Sequence, residues 1–575
     1  MVQKEFYPVI LGEDTDMILF HNHNKKRMKK IYLSLILLSI SAPYFSQEET
    51  TDDYFEISKN LTIFSEVYKN INLYFVDETN PGELMKTGID AMLKSLDPYT
   101  NYIPESNIED YRMQQSGQYG GIGSLIRKSG EFVQITNPYE NFPAQKAGLK
   151  AGDLILEIDG QSIKGKTSGE VSDLLKGAKG TDLSIKVERL KEDKPLTFNV
   201  TREIIKIPSV PHEDVFSDGV GYLKLTQFMN TSTQELTTSF KKLKSEKKIT
   251  SLILDLRGNP GGLLNEAVSI VNMFVKQGSK VVETKGRLKQ HSFIYFAREK
   301  SLDLDIPIVV LIDGGSASAS EIVSGTLQDL DRAVVIGNQS FGKGLVQQTR
   351  NMEYNSIVKL TIAKYYTPSG RCIQRLDYSD RNTTGKGATI SDTLVKSFTT
   401  ANGRPVTDGR GITPDIELDK KSYTSISYSL ISKNIIFDYA TDYFYSHDKI
   451  TEAKDFSISD VEYNEFVKFA LSKEFEYTTG SQKVLERLQE LAKEEQYYES
   501  SKEEFETLIN NLSPNKERDL AKFKAEIKSL IEAEIVGRYY YQKGQVSYSL
   551  ANDEFIKKAV EILGDKDQYN KILKP

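Results

Sequence analysis

The 575-residue sequence has one cysteine and five histidines. A lone Cys372 excludes an intrachain disulfide framework and any cysteine-cluster zinc site. Five histidines are too few for a His-rich metal protein. Glycine (38) and proline (17) are too sparse and scattered for a fibrous or low-complexity chain. Positive charge is in deficit: the formal net charge of −7 argues against a nucleic-acid partner held by phosphate neutralisation. The apolar run Ile31 to Ile40 is only about ten residues long, well short of the roughly 18 to 20 needed to span a bilayer. What remains is ordinary globular composition, 39% hydrophobic and 27% charged, with length for about three or four domains.

That short run has informative flanks. Lys25-Lys26-Arg27 and Met28-Lys29-Lys30 precede it, and the small residues Ser41-Ala42-Pro43 follow. Basic, apolar and small segments in this order form a secretory signal, predicted over 28–46. Met28 then becomes the start, and 1–27 an over-extended reading of the gene. The expectation is an exported protein, periplasmic or associated with the cell envelope. Scarce cysteine does not oppose export; it means only that disulfides are not the stabilising device.

Downstream, the periodicity changes three times. In 47–113, Phe55, Leu61, Phe64, Val67 and Ile71 recur at helical spacing, predicting a small helical domain. From 114 to 203 the pattern is strand-like, with turn signals at Gly152-Asp153 and Asp159-Gly160 and a helix near Glu170 to Leu175. From 204 to 420, apolar strands at Val220 to Leu225, Leu252 to Asp255, Ile308 to Ile312 and Val334 to Ile336 alternate with helical stretches, the signature of an α/β domain. Over 421–575 amphipathic helices dominate, such as the one carrying Val484, Leu485, Leu488, Leu491 and Ala492.

Three loops at ends of α/β strands carry residues fit for chemistry. In Asp255-Leu-Arg-Gly-Asn-Pro-Gly-Gly262 the last two glycines are expected to open a helix, whose unpaired N–H groups can stabilise an oxyanion. A tight turn needing glycine for steric reasons is the plainer reading. Asp313-Gly-Gly-Ser-Ala-Ser-Ala-Ser-Glu-Ile322 takes the chain through a sharp turn into a helix, where a serine can face a cleft. Ser318-Ala-Ser-Glu321 is also a capping box, and spacing does not choose among Ser316, Ser318 and Ser320. Gly337-Asn-Gln-Ser-Phe-Gly-Lys-Gly344 narrowly misses a phosphate-binding loop: Gly344 stands where a Mg²⁺-binding hydroxyl is required, and no long helix follows. Lys343, between two glycines, instead suits a base. It must fall from about 10.4 to roughly 7 or 8, which burial beside Phe341 and Leu345 can supply. His212, His291 and His447 sit in no recognisable motif, so a Ser–Lys pairing is the better arrangement.

With these loops in this order, the sequence resembles the carboxyl-terminal processing peptidases, the S41 serine proteases related to tail-specific protease. Thr367-Pro-Ser-Gly-Arg371 and Gly411-Ile-Thr-Pro-Asp-Ile416 add to the likeness, which runs from about Tyr54 to Glu417. The resemblance implies Ser318 as nucleophile, Lys343 as general base, and Gln347 orienting the lysine if the intervening turn is helical. It implies the backbone N–H groups of Gly262 and Ala319 as the oxyanion hole. The β-rich segment resembles a PDZ domain, with Gly120-Gly121-Ile122-Gly123 binding a substrate's terminal carboxylate and Ala147 to Asp153 as a second signature. Ala151 departs from the more usual proline, and Cys372 from a small polar residue.

The expected architecture is therefore multidomain α+β. A PDZ-like β domain is inserted before an α/β (crotonase-like) Ser-Lys protease core, with helical N- and C-terminal regions. The expected activity is a secreted serine endopeptidase that recognises exposed protein C-termini, without metal or cofactor. Its partners would be tailed protein substrates and an adaptor protein, not nucleic acid, with a homodimer formed through the terminal helices. A scaffold that binds tails without cleaving them would not need Ser318, Lys343 and Gln347 together.

Overall fold

The computed structural model describes residues 49–381, 387–419 and 422–574. The segments expected to be a signal, 28–46, and an over-extended start, 1–27, lie outside the described residues. The described chain divides into two compact units, the first ending at Gly88 and the second starting at Ile89. The first contains helix Glu49–Tyr74 and the opening turns of helix Pro81–Lys94. Within it, the Tyr68 hydroxyl donates to the Pro81 carbonyl at 2.8 Å.

The second unit contains an antiparallel sheet in which Ser124–Ser129, Phe132–Pro138, Leu154–Ile158, Asp182–Glu188 and Leu196–Thr201 are neighbours in that order. The alternation along Asp182–Glu188 shows why: Leu183, Ile185 and Val187 are buried while Asp182 and Glu188 are exposed. Helix Ser168–Leu175 packs Val171 and Leu175 into the same core. Its Thr167–Glu170 capping box satisfies the orphan donors of its first turn.

The next sheet positions the site. Strands β1 (Val220–Lys224), β2 (Ser251–Asp255), β3 (Ile308–Ile312) and β4 (Val334–Gly337) run parallel and adjacent in that order. Antiparallel His212–Phe216 flanks one edge and the short strand Ile416–Glu417 the other. Every residue of β2, β3 and β4 is buried, as expected when both faces of a parallel sheet are covered. One face, with Leu223, Leu252, Leu254, Val310 and Ile312, packs under helix Ser232–Glu246, helix α1 (Leu264–Asn272) and helix α2 (Ala319–Asp329). The opposite face, with Tyr222, Ile253, Val309, Leu311 and Ile336, is covered by Ile556, Ile562, Tyr569 and Leu573 of the last two helices. The Tyr569 hydroxyl reaches the backbone of Ile308, accepting its N–H at 3.0 Å and donating to its carbonyl at 3.1 Å.

The apolar faces of the last two helices are buried within the chain against this sheet. Residues from Ile426 to Tyr548 form a separate helical core around Phe466, Ile527, Ile531 and Ile535.

A further sheet stands beside the active loops. Strand β5 (Leu345–Met352) pairs antiparallel with β6 (Ser356–Tyr366), and β6 also pairs with Asn101–Ile103 and Lys280–Gly286.

Candidate active site

The three loops singled out by composition lie near the C-terminal ends of β2, β3 and β4, where open α/β sheets hold their ligands. They border a cavity of about 530 Å³ whose lining includes Ser318, Ala319, Gly262, Lys343, Gln347 and Lys359. Five of the residues named from the sequence therefore meet in one place. No histidine is among the lining residues described. His447 stacks on Tyr443 with ring centroids 3.9 Å apart, and His212 packs beside Tyr222.

The choice among the three serines is made by packing. Ser316 is fully buried, with its hydroxyl donating to the Leu256 carbonyl at 2.8 Å. Ser320 is equally buried and donates to the Asn259 carbonyl at 2.9 Å. Only Ser318 reaches the cavity. It sits at the N-cap of α2 with φ 54° and ψ −111°, outside the regions an L-residue normally adopts. Such a conformation costs about 1–3 kcal/mol and persists only where surrounding contacts impose it.

Those contacts come from Glu321 and Tyr365. The Glu321 carboxylate, fully buried, accepts the Ser318 N–H at 2.8 Å, the Lys343 N–H at 2.9 Å, the Gly342 N–H at 2.7 Å and the Ser340 hydroxyl at 2.5 Å. Burial pushes its carboxyl above the usual range, against the pull of these four donors. From the other side, the buried Tyr365 hydroxyl contacts the Ser318 carbonyl at 3.0 Å and the Lys343 carbonyl at 2.6 Å. Two side chains thus staple the serine turn to the lysine loop. Glu321 had shown itself in sequence only as half of a capping box, and Tyr365 carried no signal.

Gly261 supplies the third constraint. At φ 97°, it lies so close to the serine turn that an added Cβ would meet the Ala317 carbonyl oxygen at 2.6 Å and the Ala319 nitrogen at 2.9 Å. Both are backbone atoms with nowhere to go. Gly261→Ala is expected to displace the Ser318 turn, lowering stability by about 1–3 kcal/mol and activity roughly 100-fold. Thermal unfolding and peptide cleavage measured together would check this.

The glycines do not open a helix as expected. Gly262 has a positive φ of 146° and bridges to Phe228, and α1 starts only at Leu264. The Gly261 N–H is taken by Asn259 Oδ1 at 2.9 Å. Among the described residues, however, the N–H groups of Gly262 and Ala319 have no acceptor. Both residues line the cavity with Ser318. Asp255 serves the loop's architecture: Arg257 grips it through Nε and Nη2 at 3.0 and 2.7 Å, and Tyr222 donates to it at 2.8 Å. Burial alone would raise its carboxyl, but Lys224 and Arg257 outweigh that and hold it near about 2.

Lys343 lies in the predicted loop, and its surroundings are those a base needs. Burial, reinforced by the ammonium of Lys359, lowers it from 10.5 to about 8. Leu345 is buried at the cavity, whereas Phe341 lies under the Arg375 guanidinium instead. The Lys343 amine donates to Gln347 Oε1 at 3.1 Å and stands 4.2 Å above the centre of the Tyr99 ring. Gln347 thus reaches the lysine from strand β5; the expected helical turn is absent. Among the described residues, no hydrogen bond joins the Lys343 amine to the Ser318 hydroxyl; they share the cavity.

The four-residue tail loop divides in two. Gly120 and Gly121 end the strand Gln118–Gly121, paired with Glu203–Lys206. Gly120 is required by sterics, since a Cβ there would fall 2.0 Å from the Gly177 carbonyl oxygen. Ile122 and Gly123 form the turn, and among the described residues their N–H groups have no acceptor. These four residues are not part of the cavity lining.

Comparison with known proteins follows the same divisions. The chain matches the family model for peptidase family S41 over residues 219–379, a PDZ domain over 134–189, and the C-terminal helical domain of a probable PDZ-protease over 426–563. It is 37% identical to the carboxy-terminal-processing protease of Bartonella bacilliformis over 346 residues, 60% of this chain and 79% of that protein. To a probable CtpA-like serine protease of Staphylococcus aureus it is 33% identical, over 64% of this chain and 66% of that protein. Among solved structures it is similar to the photosystem II D1 C-terminal processing protease, with 28% identity and a TM-score of 0.33, over 62% of this chain and 92% of that one.

Proposed function

The chain belongs to the carboxy-terminal-processing serine proteases of peptidase family S41, and from that membership we propose that it cleaves by a Ser318–Lys343 acyl-enzyme mechanism. The observation that carries this reading is the shared cavity. It places a serine held in a strained turn, an amine lowered to about 8 and two unpaired N–H groups on one lining.

The proposed steps are as follows. A substrate segment enters the cavity, and the Lys343 amine, neutral, turns from Gln347 and the Tyr99 ring toward Ser318 and takes its hydroxyl proton. The Ser318 oxygen attacks the scissile carbonyl. The resulting oxyanion is stabilised by the N–H groups of Gly262 and Ala319, worth about 2.7–4 kcal/mol for each such donor in comparable sites. The protonated amine then delivers its proton to the leaving nitrogen. Water, deprotonated by the same amine, attacks the acyl-enzyme ester; the ester C–O bond breaks, and the ammonium returns its proton to the departing Ser318 oxygen. Gln347 returns the amine to a fixed position between turnovers.

The PDZ domain is proposed to hold the substrate's C-terminal carboxylate. The unpaired N–H groups of Ile122 and Gly123 are the donors, and the tail adds as a strand along Ser124–Ser129. We further propose export to the periplasm or cell envelope, from the segment 28–46. The α/β core is proposed to be crotonase-like. The helical region supplies surfaces for an adaptor or a second copy: Val484 and Leu488, and Leu508 and Leu512, remain exposed on the helices Gly480–Glu494 and Lys502–Leu512.

Protein C-termini compared by mass spectrometry in cells carrying the wild type or Ser318→Ala test the whole reading. Tails truncated only in the wild-type cells are expected. Identical C-termini in both would reject it.

A further inference from the structure

The cavity holds a second lysine that the proposed mechanism does not use. Lys359 lies on β6, opposite Thr349 of β5, while Gln347 lies opposite Thr361. Positions 347 and 349, and 359 and 361, alternate onto the same face of this two-stranded ribbon. Gln347, which holds the Lys343 amine, and Lys359 both line the cavity with Ser318. Lys359 is partly buried, and among the described residues its amine makes no salt bridge or hydrogen bond. A partly buried cation that no carboxylate contacts directly needs a reason, because desolvation is unfavourable unless something compensates it.

We infer that Lys359 is a positioning residue for the reaction, whose ammonium, facing the same cavity, keeps Lys343 neutral enough to act as the base. This rests on the reading of Lys343 as that base.

The surroundings of Lys343 show why a second cation is needed. Three groups favour its protonated form. Asp97 and Glu321 attract the ammonium, and the face of Tyr99, 4.2 Å away, does so through its ring quadrupole. Asp97 is itself buried and anchored by the N–H groups of Tyr99 and Thr100 at 2.8 and 2.7 Å, so its charge is fixed in place. Tyr365 contacts the Lys343 carbonyl and not the amine, and burial keeps its hydroxyl protonated. Against these stand burial and, among the described residues, the cation Lys359. Two amines in one cavity cannot both carry charge cheaply, so a charge on one makes the other easier to deprotonate. Lys359 is itself lowered by burial, with Asp97 favouring its charged form.

The test is the pH profile of kcat/KM on an uncharged peptide with a free C-terminus, for wild type, Lys359→Met and Lys359→Arg. Methionine keeps the apolar stem and removes the charge; arginine keeps the charge. Wild-type activity should rise with pH through an acid limb set by deprotonation of Lys343. In Lys359→Met the limb should move up by roughly 0.5–1 pH unit. The loss is then about 3- to 10-fold at pH 7 and disappears on the alkaline plateau. Lys359→Arg should keep the wild-type limb.

A second readout does not depend on turnover. In the Ser318→Ala background, the pH at which an amine-directed acylating reagent begins to modify Lys343, read by mass spectrometry, should shift upward by the same amount in Lys359→Met. An unchanged limb with an evenly lowered rate would overturn the inference in favour of a packing role. An unchanged limb with a raised KM only for substrates bearing acidic residues would overturn it in favour of substrate binding. In either case an inactive Lys343→Ala leaves the base assignment standing. An active Lys343→Ala with the wild-type limb would instead reject the base assignment itself.

Discussion

Ser318→Ala and Lys343→Ala are each expected to lower kcat/KM by about 10⁴-fold or more, a loss of at least about 5.4 kcal/mol of transition-state stabilisation. The two changes act on one proton transfer, so the double variant should be little worse than either alone. For Lys343 the magnitude can be built from its surroundings. An amine at 10.5 leaves roughly one molecule in 3,000 neutral at pH 7; one at about 8 leaves roughly one in ten. Burial and the neighbouring cation therefore supply about 300-fold in competent enzyme before any chemistry occurs. Lys343→Arg should not rescue, because a guanidinium does not deprotonate in this range. Binding of a tailed substrate through the PDZ domain should survive all of these changes. The kinetic signature is therefore a fall in kcat with KM nearly unchanged, measured on a protein substrate carrying an apolar C-terminal tail. A serine-directed probe should label wild type and Lys359→Arg but not Ser318→Ala. Full cleavage by either single alanine variant would defeat the mechanism.

The parts of the molecule legible in sequence are those governed by local periodicity. Strands β2, β3 and β4 are buried on both faces, so each reads as an uninterrupted apolar run, and their order along the chain matches their order in the sheet. The loops after them could be located because glycines and serines break those runs at their C-terminal ends. Contacts made across the chain were not legible. Nothing in Tyr365 announces that its hydroxyl will meet carbonyls 22 and 47 residues away. The four residues from Lys343 to Gln347 suit one turn of helix. The strand that forms there brings the two side chains together as well, so spacing did not discriminate. An amphipathic helix reveals that it has an apolar stripe but not what covers it. The last two helices illustrate the point by closing the second face of the parallel sheet.

Glu321 was visible only in its local role, and its long-range role leads to the second large effect. One carboxylate oxygen takes the Ser340 hydroxyl and the Gly342 N–H; the other takes the Ser318 and Lys343 N–H groups. Glu321→Gln keeps the size but turns one acceptor into an NH₂ that faces two donors. It leaves both of them unsatisfied in a buried site, where each costs about 1–3 kcal/mol. We expect a stability loss of about 2–4 kcal/mol and a fall in kcat of roughly 10²- to 10³-fold, because the serine turn and the lysine loop lose their common anchor. The electrostatic and geometric accounts of this residue predict opposite signs. Its negative charge favours the protonated form of Lys343. If charge were all that mattered, removing it would shift the acid limb of kcat/KM downward and raise activity at pH 7. If Glu321 acts by holding the two loops in register, activity falls at every pH, including the alkaline plateau where Lys343 is already neutral. Glu321→Asp, which keeps the charge but is one methylene too short to reach both loops, should then behave like the glutamine variant. Comparing the two profiles above pH 9 decides between these accounts: restored activity on the plateau in either variant would show that the anchor is dispensable.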